Sequence, residues 1–247
     1  ISKKFKHLMQ CMGVKIPIEL LTVRKNKGLN KSILELDDRL YTKHSYREID
    51  VPDGWVPFEK SRKSTFKQRV ESYLYKRYSD TKDIFIIEKG PCVGMGAIGM
   101  YHGTRLIGFH IITGKKYVAP FDGNKHVLYI PDHYPADTTI LVEGGMDARA
   151  LPCTVACLGA KVTKEQAYLL KDKRVIMLPD RSGKCQFIEQ FHSYGWSISI
   201  PRWKSKDLSE AVATYGKVAA MRMVIEGVET DPIRARLRYD MWTEDRK

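Results

Sequence analysis

Hydrophobic and polar positions change rhythm once along this chain, near residue 136. Beyond that point short apolar runs alternate with segments of helical periodicity. The runs 140–143, 154–158, 175–179 and 197–200 read as strands, and segments 146–151, 163–172, 182–194 and 207–215 read as helices. Thr163 with Gln166 forms a capping box, and Gly195 and Gly216 stand where helix C-caps belong. Strands alternating with helices imply βαβ units and a parallel sheet, which gathers ligands at the carboxyl ends of its strands.

The first half has a different pattern. Phe66, Val70, Tyr73, Leu74 and Arg77 recur at helical spacing within 64–78, and the other face of that helix carries Lys67, Arg69 and Lys76. The runs 84–88, 97–101, 105–112, 116–119 and 127–130 read as strands of a mainly antiparallel sheet, with 101–105 as a hairpin turn. Segment 51–57, with two prolines and a glycine, reads as a turn-rich connector. Residues 1–45 mix short apolar clusters with lysine and arginine, and 217–247 reads as helix followed by a polar stretch. The expected organisation is a basic α+β part over 1–135, an α/β part over 136–217 and a helical tail over 218–247.

Composition narrows the function. The chain has 247 residues, of which 43% are hydrophobic, enough to build a core and too many for a disordered chain. Its formal net charge is +13, which calls for a polyanionic partner. No apolar run approaches the roughly 20 residues of a membrane helix, and the N-terminus lacks a signal-peptide core. Nucleic acid in the cytoplasm is therefore expected rather than a membrane. The start at Ile1 reads as a fragment of a longer chain. The excess is uneven, with 24 Lys and Arg against 14 Asp and Glu in 1–135, and 18 against 15 in the remainder. The first half is thus the part expected to grip the polyanion. Lys60, Arg62, Lys63, Lys67, Arg69, Lys76 and Arg77, interleaved with Phe66, Tyr73, Tyr75 and Tyr78, suit a single strand held by charge and stacking. The same pattern also describes an ordinary solvated face.

Five scattered cysteines offer no pair of ligand pairs, so free thiols are expected rather than a zinc site. His102, His110, His126, His133 and His192 show no ligand spacing. There is no Walker loop and no Gly-x-Ser-x-Gly elbow, which disfavours a P-loop helicase and a serine hydrolase.

The chemistry concentrates in two stretches. Thr139-Ile-Leu-Val-Glu-Gly-Gly-Met-Asp147 delivers Glu143 to the end of a buried strand, turns on glycine, and begins a helix carrying Asp147. Arg174-Val-Ile-Met-Leu-Pro-Asp180 delivers a third acid to another strand end. Carboxylates on neighbouring strand ends make a place for a hard divalent cation, Mg²⁺ or Mn²⁺, of the kind used in phosphoryl transfer. Lys206-Asp207 precedes a helix. Asp207 suits an N-cap with Glu210 at N3, and Lys206 suits either a phosphate or an acid. Arg181 and Lys184, at a helix start after Asp180, suit a phosphate.

These residues resemble the TOPRIM domain, the metal-binding fold of bacterial and phage DNA primases, topoisomerases and OLD-type nucleases. The likeness runs from about 138 to 216, through Leu141-Val-Glu-Gly-Gly-Met-Asp147, Cys157-Leu-Gly159, Thr163-Lys-Glu-Gln166, Met177-Leu-Pro-Asp-Arg-Ser-Gly183 and Lys206-Asp207. Order and spacing are nearer the primase branch, particularly phage primases. Ser72-Tyr-Leu-Tyr-Lys-Arg77 is similar to a short Tyr-Leu-x-x-Arg stretch in the basic subdomain that precedes TOPRIM there.

The resemblance implies an α/β catalytic core that makes short RNA primers on single-stranded DNA from nucleoside triphosphates. Glu143, Asp147 and Asp180 would hold Mg²⁺ or Mn²⁺, with Lys206 and Asp207 near the chemistry. A replicative helicase or other replisome protein is the implied partner, and the host cytoplasm the implied setting if the chain is phage-encoded. The usual Asp-x-Asp is altered here: either Leu178 replaces its first Asp or Ser182 its second. A TOPRIM nuclease and a non-catalytic nucleic-acid-binding subunit are the alternatives.

Overall fold

The computed structural model describes residues 48–77, 79–90, 92–102, 105–112, 127–131, 137–181 and 186–244. The expected strand at 116–119, the tip of the 101–105 turn, Lys184, Ser182 and the segment 1–45 lie outside the described residues.

The first sheet has four antiparallel strands in the order β1 (Trp55–Pro57), β2 (Ile84–Ile87), β3 (Gly96–His102), β4 (Arg105–Ile112). Side chains alternate faces along a strand, and both faces of this sheet are covered. Ile84, Ile86, Ile98, Met100 and Ile107 face the main core, whereas Phe85, Ile87, Leu106, Phe109 and Ile111 form a second cluster with Trp55. Phe109 stands edge-on to Phe85, with ring centroids 5.2 Å apart, and 4.7 Å from Trp55. That packing explains why 55–57, expected as part of a connector, is a strand: Trp55 and Val56 pair with Ile87 and Ile86. The helix α1 (Thr65–Lys76) lies on the main-core side. Ser64 caps it by accepting from Lys67 N at 3.2 Å, and Val70 and Leu74 are its buried residues.

The second sheet is mostly parallel, in the order β6 (Thr154–Ala156), β5 (Thr138–Val142), β7 (Arg174–Met177), β8 (Ser197–Ser199), β9 (Val228–Glu229). Only the edge strand β9 is antiparallel among the described pairings. All five residues of β5 are buried, as a central strand covered on both faces requires. The helices are α2 (Gly145–Ala148), α3 (Lys164–Leu169), α4 (Phe187–Gln190), α5 (Leu208–Tyr215), α6 (Lys217–Glu226) and α7 (Pro232–Glu244). This is the α/β architecture with a parallel-rich sheet that the periodicity indicates. The strand β9 and the short α4, which passes into a 3₁₀ turn at His192–Tyr194, depart from it. Among the described residues no helix is long and apolar enough to cross a membrane.

The main core runs without interruption through both sheets, from Phe58 and Leu74 to Trp242. Val127–Tyr129 is buried within it, but forms no strand: Tyr129 makes an isolated antiparallel bridge to Ala156. The Val127 carbonyl is satisfied instead by Gln166, which is 1% exposed. The Gln166 amide donates to Val127 O at 3.0 Å and Cys157 O at 2.8 Å, while its Oε1 accepts from Thr163 N at 3.0 Å to close the capping box. Replacing Gln166 with Met keeps the volume and removes all three bonds. Two buried carbonyls lose their donor, so Gln166→Met should lower unfolding free energy by about 2–4 kcal/mol, measured by urea titration with unchanged m-value.

Candidate active site

Sheet topology brings the strand-end acids together. β5 and β7 are hydrogen-bonded neighbours running the same way, with Leu141 beside Met177. Glu143 follows the last residue of β5, and Asp180 stands three residues beyond β7. The Leu178 N–H continues the ladder to Leu141 O at 2.8 Å. The chain then turns so that Asp180 N–H donates to Glu143 Oε1 at 3.1 Å. Both acids are half-buried.

Asp147 reaches the same place from the first turn of α2 and is 5% exposed. Its Oδ1 accepts the Ser209 N–H at 2.8 Å. Its Oδ2 lies over Gly144, where a Cβ would stand only 2.7 Å from it. The next residue, Gly145, is equally crowded: a Cβ there would meet Nδ1 of the buried His110 at 2.5 Å. The double glycine therefore lets the strand-end loop pass between its own aspartate and β4. Burial lowers the pKa of His110 to about 4, so it packs there as a neutral ring.

Asp207 is the fourth acid. It is an N-cap, as its spacing indicates, with Oδ1 accepting Glu210 N at 2.9 Å. It is more than a cap, because the same Oδ1 accepts Ser209 Oγ at 2.9 Å and Oδ2 faces Arg77 Nη1 at 3.4 Å. Lys206 is exposed, and its positive charge acts on Asp180.

The electrostatics follow from this crowding. Burial raises the Asp180 pKa most, and the charges of Asp147, Glu143 and Asp207 raise it further. Asp147 is raised first by burial and then by Asp207, against the opposing bonds from Ser209 and the charge of Arg77. Set against the four carboxyl groups are the Arg77 guanidinium and the Lys206 ammonium, which the acids outnumber by two. An all-oxygen cluster whose acids are pushed toward protonation in the absence of a cation suits a hard divalent cation. Glu143 and Asp180 are the two acids within reach of solvent. Among the described residues, however, no three Asp, Glu, His or Cys side chains form a ready-made cage. Asp147 and Asp207 are instead committed to hydrogen bonds around Ser209.

Several expected binding residues are placed otherwise. Arg181 is 3% exposed, so it is not at a surface phosphate. Its guanidinium is bonded to Trp242 O and, at 2.9 Å, to Lys204 O, because the buried Asp180 turn needs a strut against α7 and the 204–206 loop. Tyr239 Oη of α7 adds a bond to Asp180 O at 3.2 Å. Lys67 lies over the Phe58 ring, 4.7 Å from its centroid, and donates to Ser61 O at 2.9 Å. Arg77 turns inward to Asp207 and Ser209. Lys60, Arg62, Lys63, Arg69 and Lys76 remain exposed, and Tyr75 is 82% exposed among them. Phe66 and Tyr73 pack against the core. Leu178, one of the two candidates for the missing acid, is 2% exposed and belongs to the core. Cys157 also borders the site: burial pushes its thiol up to about 12, with smaller effects from Glu143 and Asp180. Ser209 carries no signal in the sequence that distinguishes it from any residue of a helix first turn.

Neither a protein-family profile nor a curated protein sequence matches this chain. Solved structures do. A crystal structure of the Aquifex aeolicus primase, comprising its zinc-binding and RNA polymerase domains, superposes with a TM-score of 0.50 at 19% identity over 91% of this chain. The fold is that of a bacterial primase core. The chain spans 66% of the length of that primase structure. A structure of the DnaG catalytic core is also similar, with a TM-score of 0.44, 16% identity, and coverage of 92% of this chain and 75% of that one.

The raised carboxyl groups have a consequence for stability. An acid whose folded pKa is raised binds its proton more tightly in the folded state. Its contribution is complete below the unfolded pKa near 4, and is lost as pH rises through the folded value, about 9 for Asp180. Urea unfolding in the presence of a chelator should therefore show stability falling between about pH 5 and 9. Asp180→Asn should flatten that fall by up to about 1.4 kcal/mol per pH unit and be more stable than the unmodified chain at pH 8.5.

Proposed function

We propose that this chain is a primase-type nucleotidyltransferase core with a TOPRIM domain, which joins ribonucleotides on a single-stranded DNA template. The observation that carries this reading is the meeting of Glu143 and Asp180 at the carboxyl ends of adjacent parallel strands. The basic face of α1 and the likeness of fold to the Aquifex primase support it.

In this reading Glu143, Asp147 and Asp180 hold Mg²⁺ or Mn²⁺, Asp147 from the buried side of the other two. When bound, such a cation neutralises triphosphate charge and makes a 3′-hydroxyl easier to deprotonate. Glu143 keeps a fixed orientation because one oxygen accepts the Asp180 N–H. The Asp180 turn is fixed in its own right by Tyr239 and by the Arg181 strut. Such rigidity lets a charged site act without reorganising during the reaction. Lys206 would hold a triphosphate oxygen, a role supported by its exposure and by its charge acting on Asp180. Arg69 and Lys76, with the exposed ring of Tyr75, offer charge and a stacking surface to the template. A helicase or another replisome protein is the partner such a core would serve.

The burial of Leu178 favours a second reading, a TOPRIM protein that binds strands without joining nucleotides, because one acid expected from the resemblance is absent at that position. Labelled ribonucleotides on mixed single-stranded templates separate the two. The primase reading predicts short products that require Mg²⁺ or Mn²⁺, reduced on the order of a hundredfold or more by Asp180→Ala with the circular dichroism spectrum unchanged. Full activity of Asp180→Ala would remove the site assignment. Metal-dependent shortening of a labelled strand without nucleotides would indicate a nuclease instead.

A further inference from the structure

Charge and spacing group Arg77 with the strand-gripping cations of α1, yet its surroundings give it different work. It is one turn beyond Tyr73 on the inner face of the helix, with its guanidinium 5.3 Å from the centre of the Tyr73 ring. Nη1 reaches across to α5, where it donates to Ser209 Oγ and faces Asp207 Oδ2 at 3.4 Å. Ser209 Oγ in turn donates to Asp207 Oδ1 at 2.9 Å, and Ser209 N–H donates to Asp147 Oδ1 at 2.8 Å. A continuous line of polar contacts therefore runs from α1, through the first turn of α5, to the carboxylate of α2. Asp207 and Ser209 are 5% and 0% exposed, so water does not replace these bonds.

We infer that Arg77 is a positioning residue for the acid cluster, acting through Ser209 and Asp207 to fix where the Asp147 carboxylate stands. This inference rests on the reading that the cluster takes a divalent cation. It goes beyond that reading by making the basic helix part of the acidic site. Geometry matters as well as charge, because one guanidinium nitrogen serves both the Ser209 hydroxyl and the Asp207 carboxylate while the Tyr73 ring lies against the guanidinium.

Charge and position make opposite predictions, which makes the inference testable. Removing the guanidinium leaves the cluster one unit more negative, so by charge alone a divalent cation would bind more tightly. Loss of positioning releases Asp147 and the first turn of α5, so the cation would bind more weakly. The test is calorimetric titration of Mn²⁺, without nucleotide, into the full chain and into Arg77→Met, Arg77→Lys and Ser209→Ala. Amide hydrogen exchange at Ser209 and Glu210 and urea unfolding accompany it.

We expect Arg77→Met to weaken Mn²⁺ about 10–100-fold, the usual range for groups that orient a ligand, and to speed exchange at both amides with little change in the urea midpoint. Arg77→Lys should fall between the two, and Ser209→Ala should weaken Mn²⁺ in the same direction as Arg77→Met. Unchanged or tighter Mn²⁺ binding by Arg77→Met and Ser209→Ala would overturn the inference while leaving the cation reading intact. Absence of saturable Mn²⁺ binding by the unmodified chain would remove the cation reading, and the inference with it.

Discussion

Mutual repulsion among buried carboxyl groups is the constraint on which this structure turns. Glu143 and Asp147 come from one strand-end turn, Asp180 from another and Asp207 from a helix start, and their charges raise the pKa of Asp180, as that of Asp207 raises Asp147. Bringing them together costs free energy, because burial disfavours each charge and neighbouring charges disfavour the next. The fold opposes that cost with directed bonds rather than with solvent. Asp180 N–H faces Glu143, Ser209 N–H faces Asp147, and Arg77 with the α5 N-terminus faces Asp207. Arg77 and Lys206 face four carboxyl groups, so without a cation Asp180 and Asp147 tend to keep protons that a divalent ion would displace.

The two sheets meet at this point for the same reason. The glycine pair after β5 is narrow enough to admit His110 from one side and the Asp147 carboxylate from the other. α1 of the antiparallel part supplies Arg77, and α7 from the end of the chain holds the Asp180 turn through Tyr239 and Trp242. The acidic site is therefore built by elements drawn from the whole described chain, while the parallel sheet alone supplies the strand ends.

Most of the scaffold was legible in the residue pattern. The apolar runs Ile140–Val142 of β5 and Val175–Met177 of β7, the capping box at Thr163, and the cap at Asp207 each follow from local rules that the structure obeys. Misreadings arose where tertiary contacts outweighed local signals. The 51–57 segment looks like a turn until Trp55 finds Phe109, and 127–130 looks like a strand although it makes a single bridge. β9 has two residues, too few for any periodicity. Among the site residues, Glu143 and Asp180 were readable as strand ends, but side-chain direction was not. Arg77 recurs in register with Val70 and Leu74, a sign that it faces inward, yet its charge grouped it with the surface lysines. Arg181 was misplaced for a related reason: a cation at a helix start looks like a phosphate ligand until burial shows it bonded to backbone carbonyls. The likeness to the Aquifex primase is a likeness of fold.

The central claim is that a divalent ion belongs between the ends of β5 and β7. Anomalous diffraction from crystals of this chain grown with Mn²⁺ tests it without any assumption about the reaction. The account predicts a manganese peak within coordination distance of carboxyl oxygens of both Glu143 and Asp180. A fully ordered site containing only water at saturating Mn²⁺, or manganese bound elsewhere on the molecule, would contradict it.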